Sequence, residues 1–359
     1  MAATTNRDVT SLGSTVPVMP PELIRQAPEG VPSKEISYQE AIREALREEM
    51  LRDERVFLMG EDIGKHGGAF GVTRTLFDQF GPARVRNTPI SENTIVGAAT
   101  GAALVGMRPV IEIMFVDFSG LAMDQICTQA AKLRFMTGGQ CKVPWVLRMP
   151  QGGGAGKSTA AQHSQSLEAW YAHIPGLKVV LPSTPYDAKG LMKAAIRDDN
   201  PVIFLEQKFL YSFRGLVPES DYVLPLGKCD IKRPGSDITI VASGYMVWHA
   251  MMAAHILAEE GVSVEVIDVC TIAPLDEETI GQSARKTGRV VLVSEACRDY
   301  GPANEWGMVV MERAFEYLQA PVVRVTGRHT PIPFANSIEN GVWPDTPAVV
   351  NACRSVLNW

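Results

Sequence analysis

Short apolar segments alternate with amphipathic stretches along most of the chain. Helical spacing over residues 38–52 is followed by an apolar run at 56–59, a glycine-rich stretch at 60–71 and a second helical stretch at 73–80. Apolar runs that alternate with helical periods are typical of α/β domains. The first part of the chain is therefore predicted to be α/β.

The same rhythm continues through the rest of the chain with one interruption. Apolar runs at 110–115, 145–147, 178–181 and 202–205 are continuous, as in parallel strands that helices cover on both faces, and helical stretches lie at 118–136 and 187–197. A mixed stretch containing Pro218 and Pro225 then breaks the pattern. A second α/β unit follows, with strands predicted at 238–242, 263–268, 290–294 and 322–325 and a helix at 246–260.

The length of the chain supports two hydrophobic cores. It has 359 residues, of which 46% are hydrophobic, and a single core stops growing at roughly 250 to 300 residues. We therefore predict an N-terminal extension (1–35), a first domain (36–207), a linker (208–234) and a smaller second domain (235–359). The extension is rich in Thr, Ser and Pro and is interpreted as a tail or a subunit contact.

The net charge and the cysteines indicate which partners and which compartment to expect. The formal net charge of −6 contains no long basic or acidic run, which argues against nucleic acid or a membrane surface as partner and favours small molecules or proteins. No apolar run reaches the roughly 18 to 20 residues of a membrane span. The six cysteines form no C-x-x-C pair, so free thiols, a reducing compartment and a cytoplasmic location are expected.

A carboxylate at a helix start is the first candidate for chemistry. Ser91 and Glu92 precede the segment 95–105, which is apolar and rich in alanine and glycine. Either residue is suited to cap the helix, because a side-chain oxygen there accepts backbone N–H bonds and a negative charge complements the helix dipole. The alternative is a functional carboxylate. Local sequence favours the cap.

The glycine-rich stretch 152–159 resembles a phosphate-binding loop but fails on spacing. Counting back five positions from Gly156 reaches Gln151, where G-x-x-x-x-G-K-[ST] requires glycine. We therefore interpret it as a mobile loop that covers a ligand. His163 follows in a polar segment; a hydrogen-bonded surface histidine is the ordinary alternative to a residue that transfers protons near neutral pH.

Five segments taken together carry a resemblance that local physics does not supply. In chain order they are Gly-Glu-Asp at 60–62, Thr-Pro-Ile-Ser-Glu at 88–92, Ala-Gln-His-Ser-Gln at 161–165, the run 175–180 and Asp-Ala-Lys-Gly-Leu at 187–191. From about Ile36 to the C-terminus the chain resembles the beta subunit of the thiamine-diphosphate-dependent decarboxylase component of 2-oxoacid and acetoin dehydrogenase complexes. The resemblance implies a transketolase-like fold with a pyrimidine-binding domain and a smaller C-terminal domain, in an alpha2-beta2 heterotetramer.

The resemblance also implies roles for four residues. Glu92 matches the glutamate that bonds a pyrimidine nitrogen of the cofactor and favours the imino tautomer, which accepts the proton of the thiazolium carbon. Glu61 matches a second acidic residue near the aminopyrimidine, and Phe118 an aromatic residue that packs on the pyrimidine ring. His163 matches a histidine near the substrate and the incoming lipoyl group of the acyltransferase core.

Two further expectations concern metal ions. Residues 195–200 resemble a segment that holds potassium through backbone carbonyls and a carboxylate, with Ala195, Asp198 and Asn200 as candidates; a helix end followed by a strand at Pro201 is the alternative. The Gly-Asp-Gly motif that anchors magnesium and the diphosphate in the family does not occur in this chain. The resemblance therefore implies that a separate alpha subunit holds both, and that this chain is inactive alone.

Substrate choice stays open in the sequence. Residues 114–118 and 182–187 look closer to the acetoin branch of the family, whereas 66–70 are similar to branched-chain members. The competing hypotheses for function are a noncatalytic assembly subunit and a self-sufficient transketolase-type synthase. Glu92 together with His163 argues against the first, and the missing Gly-Asp-Gly against the second.

Overall fold

The computed structural model describes residues 30–153 and 159–359. The strands within these ranges are β1 (Ser33–Ser37), β2 (Val56–Gly60), β3 (Val85–Asn87), β4 (Arg108–Glu112), β5 (Val146–Gln151), β6 (Lys178–Val180), β7 (Val202–Gln207), β8 (Arg214–Pro218), β9 (Asp230–Arg233), β10 (Ile238–Ala242), β11 (Val264–Asp268), β12 (Thr271–Ala273), β13 (Val290–Cys297) and β14 (Val323–Gly327). The α-helices are α1 (Tyr38–Arg52), α2 (Leu76–Phe80), α3 (Glu92–Leu104), α4 (Ala131–Met136), α5 (Glu168–Ala172), α6 (Pro185–Arg197), α7 (Tyr245–Glu259), α8 (Glu277–Thr287), α9 (Pro302–Ala314), α10 (Asn336–Glu339) and α11 (Thr346–Leu357).

The first sheet has seven strands, in the order β12-β6-β7-β5-β4-β2-β3. The pairs from β6 to β3 are all parallel, and only β12 pairs antiparallel, with β6. Every residue of β2, β5 and β7 is buried. The continuous apolar runs of the sequence thus mark parallel strands covered on both faces, as predicted.

A second, five-stranded sheet has the order β14-β13-β10-β11-β9. Its first four strands are parallel, and β9 adds an antiparallel edge. Helices α7 and α11 pack together on one side of it, in a core of its own. The predicted second α/β unit is confirmed.

The predicted linker, residues 208–234, contains two strands that the sequence did not predict. It holds β8, which pairs antiparallel with β1, and β9, which belongs to the second sheet. Conversely, β12 from the C-terminal half completes the first sheet. These pairings are long-range, so local patterning does not reveal them. Residues 33–35 of the predicted extension likewise belong to strand β1.

Two helical predictions differ in their outcome. Helix α1 has the predicted bounds, because Ser37 and Glu40 form a capping box at its start. The predicted helix at 118–136 is instead three successive segments: a 3-10 helix (Val116–Ala122), a π-helix (Asp124–Ala130) and α4. The period of an amphipathic stretch does not distinguish these helix types.

All six cysteines are free thiols, and Cys270 and Cys353 are buried. Among the described residues, no helix is both long and apolar enough to cross a membrane.

Candidate active site

The candidate residues lie at one edge of the seven-stranded sheet. Glu61 directly follows β2, Phe118 lies beyond β4, and His163 lies beyond β5. Glu92 opens α3, which follows β3. Because these strands are parallel neighbours, the loops after them meet at the carboxyl edge of the sheet, where open α/β folds bind ligands.

Glu92 is buried at the first position of α3, with 6% of its surface exposed. Ser91 occupies the N-cap position, but its hydroxyl bonds Thr94 Oγ1 at 2.7 Å and makes no capping bond to the backbone. Within residues 30–153 and 159–359, no hydrogen bond to the Glu92 carboxylate is found. The side-chain cap that the sequence favoured is therefore absent, and the carboxylate is available to a ligand.

Glu61 presents a second buried carboxylate next to Glu92. Its Oε1 atom is buried and has no hydrogen-bond partner among the described residues. Burial raises the pKa of Glu61, and the negative charges of Glu92, Asp62 and Glu112 raise it further. A buried acceptor without a partner is costly, so this pair of carboxylates is suited to a ligand that brings hydrogen-bond donors.

Phe118 and His163 belong to a cluster of aromatic rings. The rings of Phe118 and His163 meet edge to face, with centroids 5.2 Å apart, and Phe115 contacts His163 at 4.7 Å and Phe118 at 5.8 Å in the same manner. Phe70, from the glycine-rich stretch after β2, contacts Phe115 at 5.6 Å. The structure therefore brings Phe118 and His163 into contact and adds Phe115, which sequence reasoning did not assign to the site.

Lys208 is a second residue that the sequence analysis missed. It directly follows β7, and its ammonium donates to the backbone carbonyl of His163. Asp117, beside Phe118, accepts a bond of 2.8 Å from Gln165 Nε2. Its position in the sequence could have revealed it. Lys208 follows the apolar run 202–205, just as the other site residues follow apolar runs.

A carboxylate from the second sheet reaches the same edge. Glu295 of β13 accepts a hydrogen bond from the Gly153 N–H and another from the amide of Gln207. Burial and the neighbouring charge of Glu168 raise the pKa of Glu295 to about 7. Behind the His163 segment, a cavity of about 280 Å³ is lined by Gln165, Ser166 and Glu295 among others.

The predicted potassium segment has the backbone of a helix end. Helix α6 ends at Arg197, and β7 begins at Val202. The Asp198 carboxylate accepts from Asn200 and pairs with Lys178, while Asn200 Oδ1 accepts from Arg134 at 2.6 Å. The Ala195 carbonyl accepts the Asp198 N–H at 3.3 Å. The side-chain oxygens of this segment are thus already bound to protein cations and donors, and the Asp198 carbonyl accepts a bond of 2.9 Å from Arg108.

Most of the predicted glycine-rich covering loop, residues 154–158, lies outside the described residues. Of its flanks, Gly152 and Gly153 directly follow β5, and Thr159 begins the segment that leads to His163.

Two family models match the chain. The transketolase pyrimidine-binding domain matches residues 34–213, and the transketolase C-terminal domain matches residues 227–349. Among solved structures, a chain described as a split-gene transketolase in an inactive beta4 tetramer superposes with a TM-score of 0.71 at 26% identity, covering 90% of this chain and 98% of that chain.

Curated relatives are more similar in sequence. This chain is 47% identical to pyruvate dehydrogenase E1 component subunit beta-2 of Oryza sativa, covering 90% of this chain and 86% of the relative. It is 47% identical to the 2-oxoisovalerate dehydrogenase subunit beta of Bacillus subtilis, with 90% and 99% covered. It is 45% identical to the beta subunit of the acetoin:2,6-dichlorophenolindophenol oxidoreductase of Cupriavidus necator, with 90% and 98% covered.

Proposed function

Because this chain belongs to the transketolase-related family of E1 beta subunits, we propose that it is the beta subunit of a thiamine-diphosphate-dependent 2-oxoacid or acetoin dehydrogenase. The observation that carries the proposal is the pair of buried carboxylates, Glu61 and Glu92, which accept no hydrogen bond from the described residues at the carboxyl edge of the first sheet. Pyruvate, 2-oxoisovalerate and acetoin relatives are about equally similar, so the choice among these substrates is not part of the proposal.

The residues present fit the aminopyrimidine half of thiamine diphosphate. The exocyclic amine supplies N–H donors, the ring nitrogen shares a proton with a carboxyl group, and the flat ring suits the face of Phe118. When bound, the cofactor supplies a carbon nucleophile for a 2-oxo carbonyl group. Glu92 shares a proton with the pyrimidine nitrogen. Glu61 exchanges protons beside it.

His163 is proposed to act on the substrate side of the same site. Its ring meets that of Phe118 edge to face, with centroids 5.2 Å apart, and Phe118 is the residue proposed to pack on the pyrimidine. There it donates or accepts a proton while the acyl group passes to a lipoyl group of an acyltransferase core.

An alpha subunit completes the proposed site. The sequence contains no Gly-Asp-Gly motif, so the diphosphate and Mg²⁺ are assigned to that partner in an alpha2-beta2 heterotetramer. The related split-gene transketolase chain is described as an inactive beta4 tetramer, which agrees with a chain that needs a partner. We further propose a cytoplasmic location, and potassium binding at Ala195, Asp198 and Asn200 mainly through backbone carbonyls.

The experiment is reconstitution. The purified chain, the alpha subunit produced with it, and the complex of both are assayed with thiamine diphosphate and Mg²⁺ against pyruvate, branched-chain 2-oxo acids and acetoin. We expect turnover by the complex only. Turnover by the single chain would show a self-sufficient synthase, and a complex that is inactive with every substrate would favour the noncatalytic assembly subunit.

A further inference from the structure

Lys208 has an unusual position for a lysine. It is 4% exposed, and its ammonium lies 5.4 Å from the centre of the Phe115 ring. The same ammonium donates to the His163 carbonyl and, at 3.1 Å, to Thr159 Oγ1. A buried charge is costly unless it is hydrogen-bonded, so this arrangement must hold the ammonium firmly.

The segment that Lys208 contacts is an irregular loop. Residues 159–166 contain no helix or strand. The His163 N–H donates to the Ala160 carbonyl at 3.3 Å, and Thr159 Oγ1 bonds the His163 carbonyl at 3.2 Å and the Ser164 hydroxyl at 2.6 Å. The ammonium of Lys208 is thus the one charged donor on the His163 backbone among the described residues.

We propose that Lys208 is a positioning residue for His163, which fixes the backbone from which the imidazole reaches the aromatic cluster. The proposal rests on the proposed function. The bond is charge-assisted, so it is stronger than a bond between neutral groups. Lys208 is not proposed to contact the substrate.

The ammonium of Lys208 also loses its proton at mildly alkaline pH. Burial lowers the pKa of Lys208 to about 8, while the acidic groups that face it, Asp117, Glu295 and Glu339, oppose this shift. Above that pH a neutral amine loses the charge that strengthens its bond to the His163 carbonyl. The positioning of His163 should therefore weaken as the pH rises through about 8.

The test compares three variants in the alpha/beta complex. Lys208→Met removes the donor and keeps the length of the side chain, Lys208→Arg keeps a cation that does not titrate in this range, and Lys228→Met removes an exposed lysine as the control. Transfer to the lipoyl group is measured from pH 6 to about 9.5. The pH range brackets the pKa of Lys208.

We expect Lys208→Met to lower kcat about tenfold or more with KM little changed, as for a misplaced proton-transfer group. Lys208→Arg should recover part of that loss and move the alkaline decline of kcat to higher pH. The control should match the wild type. An unchanged kcat in Lys208→Met, or an alkaline decline in Lys208→Arg at the wild-type pH, overturns the proposal.

A second readout does not need activity. Hydrogen exchange of the backbone amides at 160–166 is measured in the full chain, with and without the alpha subunit. Lys208→Met should accelerate exchange there and leave β5 and β7 unchanged, and equal exchange in wild type and variant overturns the proposal. If the wild-type complex is inactive, the proposed function fails while this measurement still decides the role of Lys208. If Lys208→Met does not fold, the pH profile and the exchange of Lys208→Arg decide instead.

Discussion

The carboxylate of Glu295 in β13 accepts a hydrogen bond of 2.6 Å from the backbone N–H of Gly153, just after β5. The second sheet therefore contributes directly to the edge where the candidate site lies. Gly152 beside it has φ of +86°, and a Cβ there would lie 2.6 Å from Glu295 Oε1. The close approach of the carboxylate thus requires glycine at position 152.

The burial of Glu295 makes the stability of the chain depend on pH. Burial raises the pKa of Glu295 from 4.5 to about 7, so between these values the folded chain holds a proton that the unfolded chain releases. The contribution is fully present below about 4.5 and is lost as the pH rises through about 7. Thermal midpoints of wild type and Glu295→Gln should therefore differ in a way that changes across this range. A constant difference would contradict the prediction, and the exposed Glu316→Gln is the control.

Glu92→Gln should lower the activity of the complex without lowering the stability of the chain. We expect the turnover of the alpha/beta complex to fall about 10²- to 10⁴-fold, because the amide does not hold the proton that the chemistry needs. The thermal midpoint should be unchanged or higher, since a buried charge near Glu61 is removed. Turnover is compared with that of Glu54→Gln, an exposed glutamate. Full activity in Glu92→Gln would disprove the assignment.

His163→Ala should affect acyl transfer more than decarboxylation. The imidazole is proposed to serve the step that involves the lipoyl group, so decarboxylation with an artificial electron acceptor should be less impaired than the overall reaction with a lipoyl domain. Both rates are measured on the same complex, with the exposed His255→Ala as control. An equal loss in both assays would place His163 in the decarboxylation step instead.

Arg148→Met should destabilise the first domain. The guanidinium is 2% exposed and lies between the carboxylates of Glu112, at 2.6 Å, and Glu206, at 2.7 Å. Removing it leaves buried carboxylates without their cation, a change that costs about 3 to 5 kcal/mol. Chemical denaturation measures the loss. Arg55→Met, which removes an exposed guanidinium from its pair with Asp53, should cost much less.

The sequence predicted the elements that depend on residues close together in the chain. The capping box fixes the start of α1, and the continuous apolar runs identify β2, β5 and β7 as buried parallel strands. The sequence did not reveal β1, β8 and β12. These strands are short, and their partners are distant in sequence.

For the candidate site, the sequence by itself determined the residue types and the order in which they follow strands: Glu61, Glu92, Phe118 and His163. Only the tertiary structure decided that Glu92 finds no hydrogen-bond partner among the described residues and that Lys208 and Glu295 anchor the segments around His163. The physical reason is that side-chain caps and strand periods depend on neighbours within a few residues. Whether a buried carboxylate or ammonium finds a partner depends on residues that only the packed sheets bring together.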